Sequence, residues 1–329
     1  MNSLSPAATG FRLVLRRPAI AVGEVAWRWS FAAAGWILAV MFLFEYMDSL
    51  PVTALDRILL RTGQPILIGR VIHRIFQGSA FRFTEAGILL ALALSLAWIV
   101  LASLGRAATV DSIVEELDLR PPSRKGMLRS LFALNFLRAA VSLAALAGAI
   151  GSILIASSFW ASTRVPVADA TRFLFLAWFL VWFAWSVLNW LLSTAAVFAA
   201  AEGIRAFPGI ALVVRMLQQR PGPMLATGTM FGAAHFGVFL FAGGAAFSVL
   251  AVAARLHSGA VLFLGFTVAA IYCLIADFIY TGRAAAYVAI TRGDELLERV
   301  RAEGMPTAPM EASIDKDELI LSDVPLPAG

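Results

Sequence analysis

The sequence has few charged residues and few of the side chains that bind metals. Only 14% of its 329 residues are charged, and 60% are hydrophobic, whereas about 25% of the residues in soluble domains are charged. A single cysteine, Cys273, excludes a disulfide framework and any metal or redox site built on paired cysteines. Three histidines do not extend this set to a zinc site with nitrogen and sulfur ligands. We therefore expect no metal and no cofactor.

The sequence also lacks the motifs of common enzyme classes. HExxH, the P-loop, GxSxG and GxGxxG are all absent. The segments between the apolar runs are too short for an ordinary soluble catalytic domain. The net charge of +5 comes mainly from arginines that flank apolar segments, so it does not indicate a nucleic-acid partner. We expect no catalytic residues and no enzymatic activity.

Long apolar runs dominate what is present. A helix needs about 20 apolar residues to cross a hydrocarbon core about 30 Å thick. Six segments meet this requirement, at about 20–44, 86–105, 131–160, 173–201, 224–254 and 258–282. They predict an all-α fold, a polytopic transmembrane bundle of six helices that occupies residues 1–302. The acidic segment 303–329 is predicted to be a disordered cytoplasmic tail.

Basic residues are divided unequally between the two sides of this predicted bundle. If the N-terminus lies inside, roughly twice as many lysines and arginines fall on the inner side as on the outer side, which is the arrangement that the positive-inside rule favours. Both termini are therefore predicted to be cytoplasmic. The lipid bilayer, including its anionic lipids, and another membrane protein are the partners that such a chain would contact.

Residues 52–77, between the first two predicted spans, carry two short amphipathic patterns. Pro65 suits the first position of a helix, and Ile68, Val71 and Ile75 follow the spacing of an apolar helical face. We predict two interfacial helices at the outer surface. Their arginines either anchor the segment at the headgroups or form a dedicated site for an anionic lipid or another anionic ligand. These arginines are Arg57, Arg61, Arg70 and Arg74.

Several ionisable residues lie inside or at the ends of the predicted spans, where an unpaired charge is costly. At 1.5 Å per residue, Arg138 and Asp277 lie roughly 10 Å and roughly 7 Å from the inner end, so we predict that they pair. Glu24 and Arg28 lie one helical turn apart and are also predicted to pair. The alternative is a cytoplasm-facing polar cavity for a proton, an ion or an anionic headgroup. The predicted intramembrane network consists of Glu24, Arg28, Arg138, Glu202, His235 and Asp277.

Small residues follow two further patterns. Gly228, Gly232 and Gly237 in the fifth span are spaced as in helices that approach each other closely, and we predict a packing face there. The sequence Gly-Arg-Ala-Ala begins at Gly105 after the second span and at Gly282 after the sixth. This repetition indicates either a duplicated unit or a coincidence in an alanine-rich chain.

The fourth span ends in Ala200-Ala201-Glu202-Gly203, and a short predicted helix at 210–217 and the glycine-containing fifth span follow. In this layout the chain resembles uncharacterised bacterial six-helix membrane proteins related to the membrane domain found beside glycerophosphoryl diester phosphodiesterases. The sequence contains no phosphodiesterase catalytic domain, so the resemblance implies no hydrolase activity. We expect a protein of the bacterial inner membrane that acts as a non-catalytic scaffold, assembly partner or regulator through lipid or protein contacts. The alternative is a transporter of a small or lipidic solute whose polar site lies near Arg138 and Asp277.

Overall fold

A computed structural model describes residues 5–62, 64–76, 78–122, 126–161, 166–253, 256–293 and 295. These residues form ten α-helices and no strand, so the all-α prediction is confirmed. The chain divides into two compact units, Met1–Thr291 and Arg292–Gly329. All ten helices belong to the first unit. The tail predicted at 303–329 lies outside the described residues.

Six of the helices are long and apolar enough to cross a membrane. The shortest has 31 residues, which gives it a length of about 46 Å, well above the thickness of the hydrocarbon core. Each corresponds to one of the predicted spans, and the chain is therefore a membrane protein with six candidate spans. The six helices are α2 (Pro18–Asp48), α5 (Ala80–Glu116), α6 (Met127–Trp160), α7 (Val167–Glu202), α9 (Pro221–Val252) and α10 (Ser258–Thr291).

The long helices pack closely at one end of this unit, which we call the packed end. Helices α2, α6 and α9 begin there, and α5, α7 and α10 end there. Buried residues fill 192–201 of α7 and most of 277–290 of α10, and alanine is the commonest residue in both segments. Among the described residues, by contrast, 232–252 of α9 and 258–276 of α10 include none that is buried. Small side chains let the helices approach closely at the packed end.

Two of the four short helices lie at the packed end. Helix α1 (Pro6–Arg16) is capped by Ser5, whose side chain accepts a hydrogen bond at 3.3 Å. It buries four residues, of which Ala7 packs against α9 and α10 and Gly10 against α10. Helix α8 (Ala206–Gln219) contains the predicted segment 210–217. Gly203 separates it from α7 with a φ of 66°, a left-handed conformation that glycine adopts at little cost.

The other two short helices follow α2 and confirm the amphipathic prediction for this segment. They are α3 (Ala54–Arg61) and α4 (Pro65–Phe76). Thr53 and Asp56 begin α3 with a reciprocal capping box, in which the Thr53 amide donates to the Asp56 carboxylate at 2.9 Å and the Asp56 amide donates to the Thr53 hydroxyl at 3.2 Å. A buried apolar cluster joins Leu50, which follows α2, to Val71 and Ile75 of α4, and the partly buried Leu59 of α3 packs against it.

The predicted packing face in the fifth span is found only in part. A Cβ at Gly228 would lie 3.5 Å from the nearest atom of another helix, but no such atom of the described chain lies within 4 Å of a Cβ at Gly232 or Gly237. The prediction is wrong for these two glycines, because α9 meets α10 there through larger side chains, such as His235 with Tyr272 at 3.2 Å. Among the glycines of the described chain, neighbours lie closest at Gly10, where a Cβ would be 2.2 Å from the Gly282 backbone oxygen, and at Gly105, where it would be 2.5 Å from the Trp27 ring.

Candidate anion-binding site

Glu24 forms the buried centre of a polar cluster near the packed end. Its side chain is completely inaccessible to solvent. Three groups donate hydrogen bonds to its carboxylate: the Trp27 indole at 3.0 Å, the Arg28 Nε at 2.9 Å and the Thr109 hydroxyl at 2.5 Å. The predicted pairing of Glu24 with Arg28 is confirmed, and it follows from their i, i+4 spacing on α2.

Asp277 on α10 also pairs with Arg28, and the predicted Arg138–Asp277 pair is wrong. The Arg28 Nη1 lies 2.9 Å from the Asp277 Oδ1, and the Trp29 indole donates to Oδ2 at 3.1 Å. Arg28 therefore bridges two carboxylates on different helices. Matching depths in the membrane were not sufficient to predict a pair between Arg138 and Asp277, because Asp277 on α10 contacts α2.

Arg138 on α6 instead contacts uncharged polar groups and an indole. Its Nε donates to the Asn189 carbonyl on α7 at 3.1 Å, and its Nη1 donates to that of Asn135 at 3.4 Å. The guanidinium carbon lies 5.1 Å from the centre of a Trp98 ring, within the range of a cation–π interaction. The Asn135 amide in turn donates to the Ser103 hydroxyl at 3.0 Å.

Three guanidinium groups surround the Tyr280 ring. Their central carbons lie 3.9 Å (Arg28), 4.5 Å (Arg106) and 5.2 Å (Arg283) from the ring centre. Arg106 is only 4% exposed, although the sequence placed it in the loop after the second span. The aromatic face stabilises these cations, but it does not neutralise their charge.

The cluster carries more positive than negative charge. Four guanidinium groups face two carboxylates, which leaves a formal excess of +2. Within the described part of the chain, neither Arg106 nor Arg283 has a carboxylate or carbonyl partner within hydrogen-bonding distance. We call this group the arginine cluster. It consists of Glu24, Arg28, Arg106, Arg138, Asp277 and Arg283.

A cavity of about 260 Å³ adjoins this cluster. Three of the four arginines line it, and neither carboxylate does. Guanidinium groups present several N–H donors in a fixed plane and bind carboxylate or phosphate oxygens well, so the cavity suits an anion. We call it the arginine cavity. It is lined by Trp27, Arg28, Phe31, Trp98, Ala102, Arg106, Arg138 and Tyr280.

An apolar groove borders the arginine cavity between α2, α5 and α6. It has a volume of about 350 Å³. Phe31 and Trp98 line both the cavity and the groove, so the two spaces meet at these aromatic side chains. The remaining residues of this apolar groove are Leu94, Ser95, Ala139, Ser142, Leu143 and Leu146.

Two residues of the predicted network lie away from the cluster. The Glu202 carboxylate accepts a hydrogen bond from the Thr291 hydroxyl at 3.0 Å, where α7 and α10 end. The His235 ring contacts the Tyr272 hydroxyl at 3.2 Å, between α9 and α10. Neither residue lines the arginine cavity. The prediction of one network is therefore wrong for Glu202 and His235, which serve separate helix contacts.

The arginines of α3 and α4 are not equivalent. Arg74 forms an ion pair with Asp56, whose side chain is buried at the start of α3. Arg57, Arg61 and Arg70 are exposed. The Arg74 side chain is still 54% exposed in this pair, so contact of the four arginines with lipid headgroups stays a prediction.

Sequence reasoning missed the polar residues that complete the site. Thr109, Asn135 and Asn189 each bind one of the predicted ionisable residues. A signal was available for the two asparagines, because each lies within an otherwise apolar predicted span. Arg106 and Arg283 were assigned to the membrane surface because each directly follows the last residue of a predicted span.

Comparisons of the chain with protein families, curated proteins and solved structures find no match. The resemblance to six-helix proteins related to the phosphodiesterase membrane domain therefore stays a prediction. The function has to be inferred from the geometry of the site itself.

Proposed function

We propose that this chain is a non-catalytic integral membrane protein that binds an anionic lipid, with the headgroup in the arginine cavity and an acyl chain in the apolar groove. In this proposal it acts as a scaffold, assembly partner or regulator through that lipid. The observation that carries the proposal is the excess positive charge of the arginine cluster directly beside an apolar groove.

The charge argument concerns the headgroup. Positive charges within a membrane-spanning bundle need compensation, because the surrounding dielectric is low. Arg106 is almost completely buried, and no carboxylate lines the cavity into which it faces. A phosphate would bring negative charge to Arg28, Arg106 and Arg138 together, and basic pockets between transmembrane helices are known to bind lipid headgroups.

The shape argument concerns the hydrocarbon part. An ion such as free phosphate would need only the arginine cavity, whereas the apolar groove offers an adjoining surface of Leu94, Leu143 and Leu146. Burying each CH₂ group of an acyl chain is worth about 0.8 kcal/mol. An amphiphile therefore uses both spaces, and its polar and apolar parts would meet at Phe31 and Trp98.

We further propose that the packed end faces the cytoplasm of a bacterial inner membrane, with both termini on that side. The positive-inside distribution supports this orientation. Reporter fusions test it: a reporter active only in the cytoplasm should work after Gly203, and a periplasmic reporter should work within α3. The opposite pattern would contradict the orientation without affecting the lipid-binding proposal.

The lipid-binding proposal is tested with Arg138→Gln. The purified full chain is placed in nanodiscs or detergent with phosphatidylglycerol as the probe, and bound lipid is measured by native mass spectrometry. Loss of a charged hydrogen-bond donor costs about 1.5–3 kcal/mol, so we expect binding roughly 10- to 100-fold weaker. Phosphatidylcholine should bind weakly to both proteins, because its headgroup carries no net charge.

Arg172→Gln is the matched control. Arg172 lies near the beginning of α7, away from the packed end, and its side chain is 81% exposed in an ion pair with Asp169. This variant should bind phosphatidylglycerol like the wild type. Equal binding by wild type and Arg138→Gln, with both proteins folded by circular dichroism, would overturn the proposal.

The alternative function, transport of a small or lipidic solute, shares the arginine cavity. One observation favours it, namely that two arginines lining the cavity, Arg106 and Arg138, form no ion pair within the described part of the chain. Reconstituted vesicles distinguish the two functions. Transfer of labelled phosphatidylglycerol between leaflets that depends on Arg138 would support transport, whereas binding without transfer would support the scaffold or regulator.

A further inference from the structure

A second, much smaller cavity shares Arg106 and Tyr280 with the arginine cavity. Its volume is about 10 Å³, the room that one small, roughly water-sized particle needs. The Tyr280 hydroxyl is buried and, within the described part of the chain, has no hydrogen-bond partner. Buried polar atoms are nearly always paired, so an exception calls for a bound partner. The polar residues that line this small cavity are Arg106, Ser193, Thr194, Tyr280, Arg283 and Tyr287.

The groups around the small cavity are arranged to donate hydrogen bonds. The Tyr287 hydroxyl already accepts from the Trp190 indole at 3.0 Å, which leaves its own proton for another acceptor. Arg106 and Arg283 lack a carboxylate or carbonyl partner among the described residues. The described residues that line it include no carboxylate. A cation would be repelled, and a neutral water molecule would leave the formal excess of +2 in the arginine cluster unchanged.

We propose that the small cavity is a binding site for one monatomic monovalent anion, with chloride as its ordinary occupant. The Tyr280 and Tyr287 hydroxyls and the guanidinium groups of Arg106 and Arg283 would donate to it. Two anions fit the formal excess of +2 in the arginine cluster: a singly charged headgroup in the arginine cavity and a halide in the small cavity. Arg106 and Tyr280 line both cavities, but Arg138 lines only the arginine cavity and Arg283 only the small one, so the two sites can be tested separately.

The small cavity offers a structural explanation for the Gly-Arg-Ala-Ala repetition. In α5, the Trp27 ring packs against Gly105, where a side chain would leave no room for it, and Arg106 is the next residue. In α10, Gly282 meets the backbone of Gly10, and Arg283 follows directly. Each copy thus combines a close helix approach with one arginine of the small cavity.

Tyr280→Phe tests the proposal, because it removes the hydroxyl and keeps the ring that contacts the arginines. The apparent Tm of the full chain in detergent is measured in sodium chloride and in sodium gluconate at the same concentration. Chloride should raise the Tm of the wild type by about 2–4 °C, as expected for ligand binding to the folded state. The variant should lose most of this difference.

Tyr272→Phe is the matched control, since it makes the same change on the same helix where the hydroxyl contacts His235. It should keep the full chloride effect. A second measurement is an anomalous bromine peak beside the Tyr280 hydroxyl in crystals grown with sodium bromide. An equal Tm in both salts, a chloride effect that survives in Tyr280→Phe, or water without bromide in the cavity would overturn the proposal. The lipid-binding result for Arg138→Gln is independent of all these outcomes.

Discussion

Replacing Glu24 by glutamine is expected to destabilise the protein by about 3–5 kcal/mol, the usual consequence of removing one partner from a buried ion pair. The side chain is fully buried and accepts hydrogen bonds from Trp27, Arg28 and Thr109. Glutamine has nearly the same shape, but it would raise the formal excess of the arginine cluster by one positive charge. Thermal unfolding in detergent, followed by circular dichroism, measures the loss.

Two further variants isolate the role of charge. Glu85→Gln changes an exposed glutamate on α5 and should leave the Tm within about 1 °C of the wild type, as is usual for surface substitutions. Glu24→Gln combined with Arg106→Gln restores the original charge balance, leaves the Arg28–Asp277 ion pair in place and should recover part of the stability lost in Glu24→Gln. Wild-type stability of Glu24→Gln, or a double variant less stable than the sum of the single changes, would contradict this account.

The six long helices could be predicted because the bilayer imposes a length that apolar runs must match. Hydropathy alone ends the second span before Arg106, but the sequence up to the break at Pro121-Pro122 predicts that the helix runs on through Glu115 and Glu116, and α5 does continue to Glu116. Its last turns bury Val110 and Ile113 completely. Contact with other helices, and not with lipid, sustains this part of the helix, and a single sequence does not show such contacts directly.

The candidate site could be predicted only where the geometry is local. The pairing of Glu24 with Arg28 follows from spacing within one helix. A pair between two helices depends on depth, on the rotation of each helix about its axis and on which helices are neighbours. Depth was available for Asp277 and Arg138, but the other two quantities were not. Asp277 consequently binds Arg28 on α2, and Arg138 binds Asn189 on α7.

The small residues of the packed end and the arginine cluster are parts of one arrangement. The buried segment 192–201 of α7 is largely alanine, which lets α10 approach α7 closely enough for the Trp190 indole to reach Tyr287. Close approach also brings Arg106 and Arg283 to the same small cavity. Larger side chains in α7 would separate the helices that carry these arginines, so the anion sites depend on residues that bear no charge.

Gly10→Ala tests this dependence at the closest contact in the packed end. A Cβ on residue 10 would lie 2.2 Å from the Gly282 backbone oxygen and 3.0 Å from Ala286. Backbone atoms cannot rotate away as a flexible side chain can, so α1 would have to move off α10. We expect a loss of about 1–3 kcal/mol, typical of an overpacked core. Hydrogen exchange should show faster exchange throughout α1, whose inner face includes Leu13 and Val14.

Gly23→Ala is the control, and its expected effect on stability is opposite to that of Gly10→Ala. Residue 23 also lies in a helix near the packed end, but no neighbouring atom lies within 4 Å of its Cβ position in the described chain. Alanine is the better helix former by up to about 1 kcal/mol, so this variant should unfold at the wild-type temperature or above it. Because Gly282 precedes Arg283 directly, movement of α1 in Gly10→Ala should also reduce the chloride-dependent rise in Tm. Equal stability of the two alanine variants would show that α1 does not hold the packed end together.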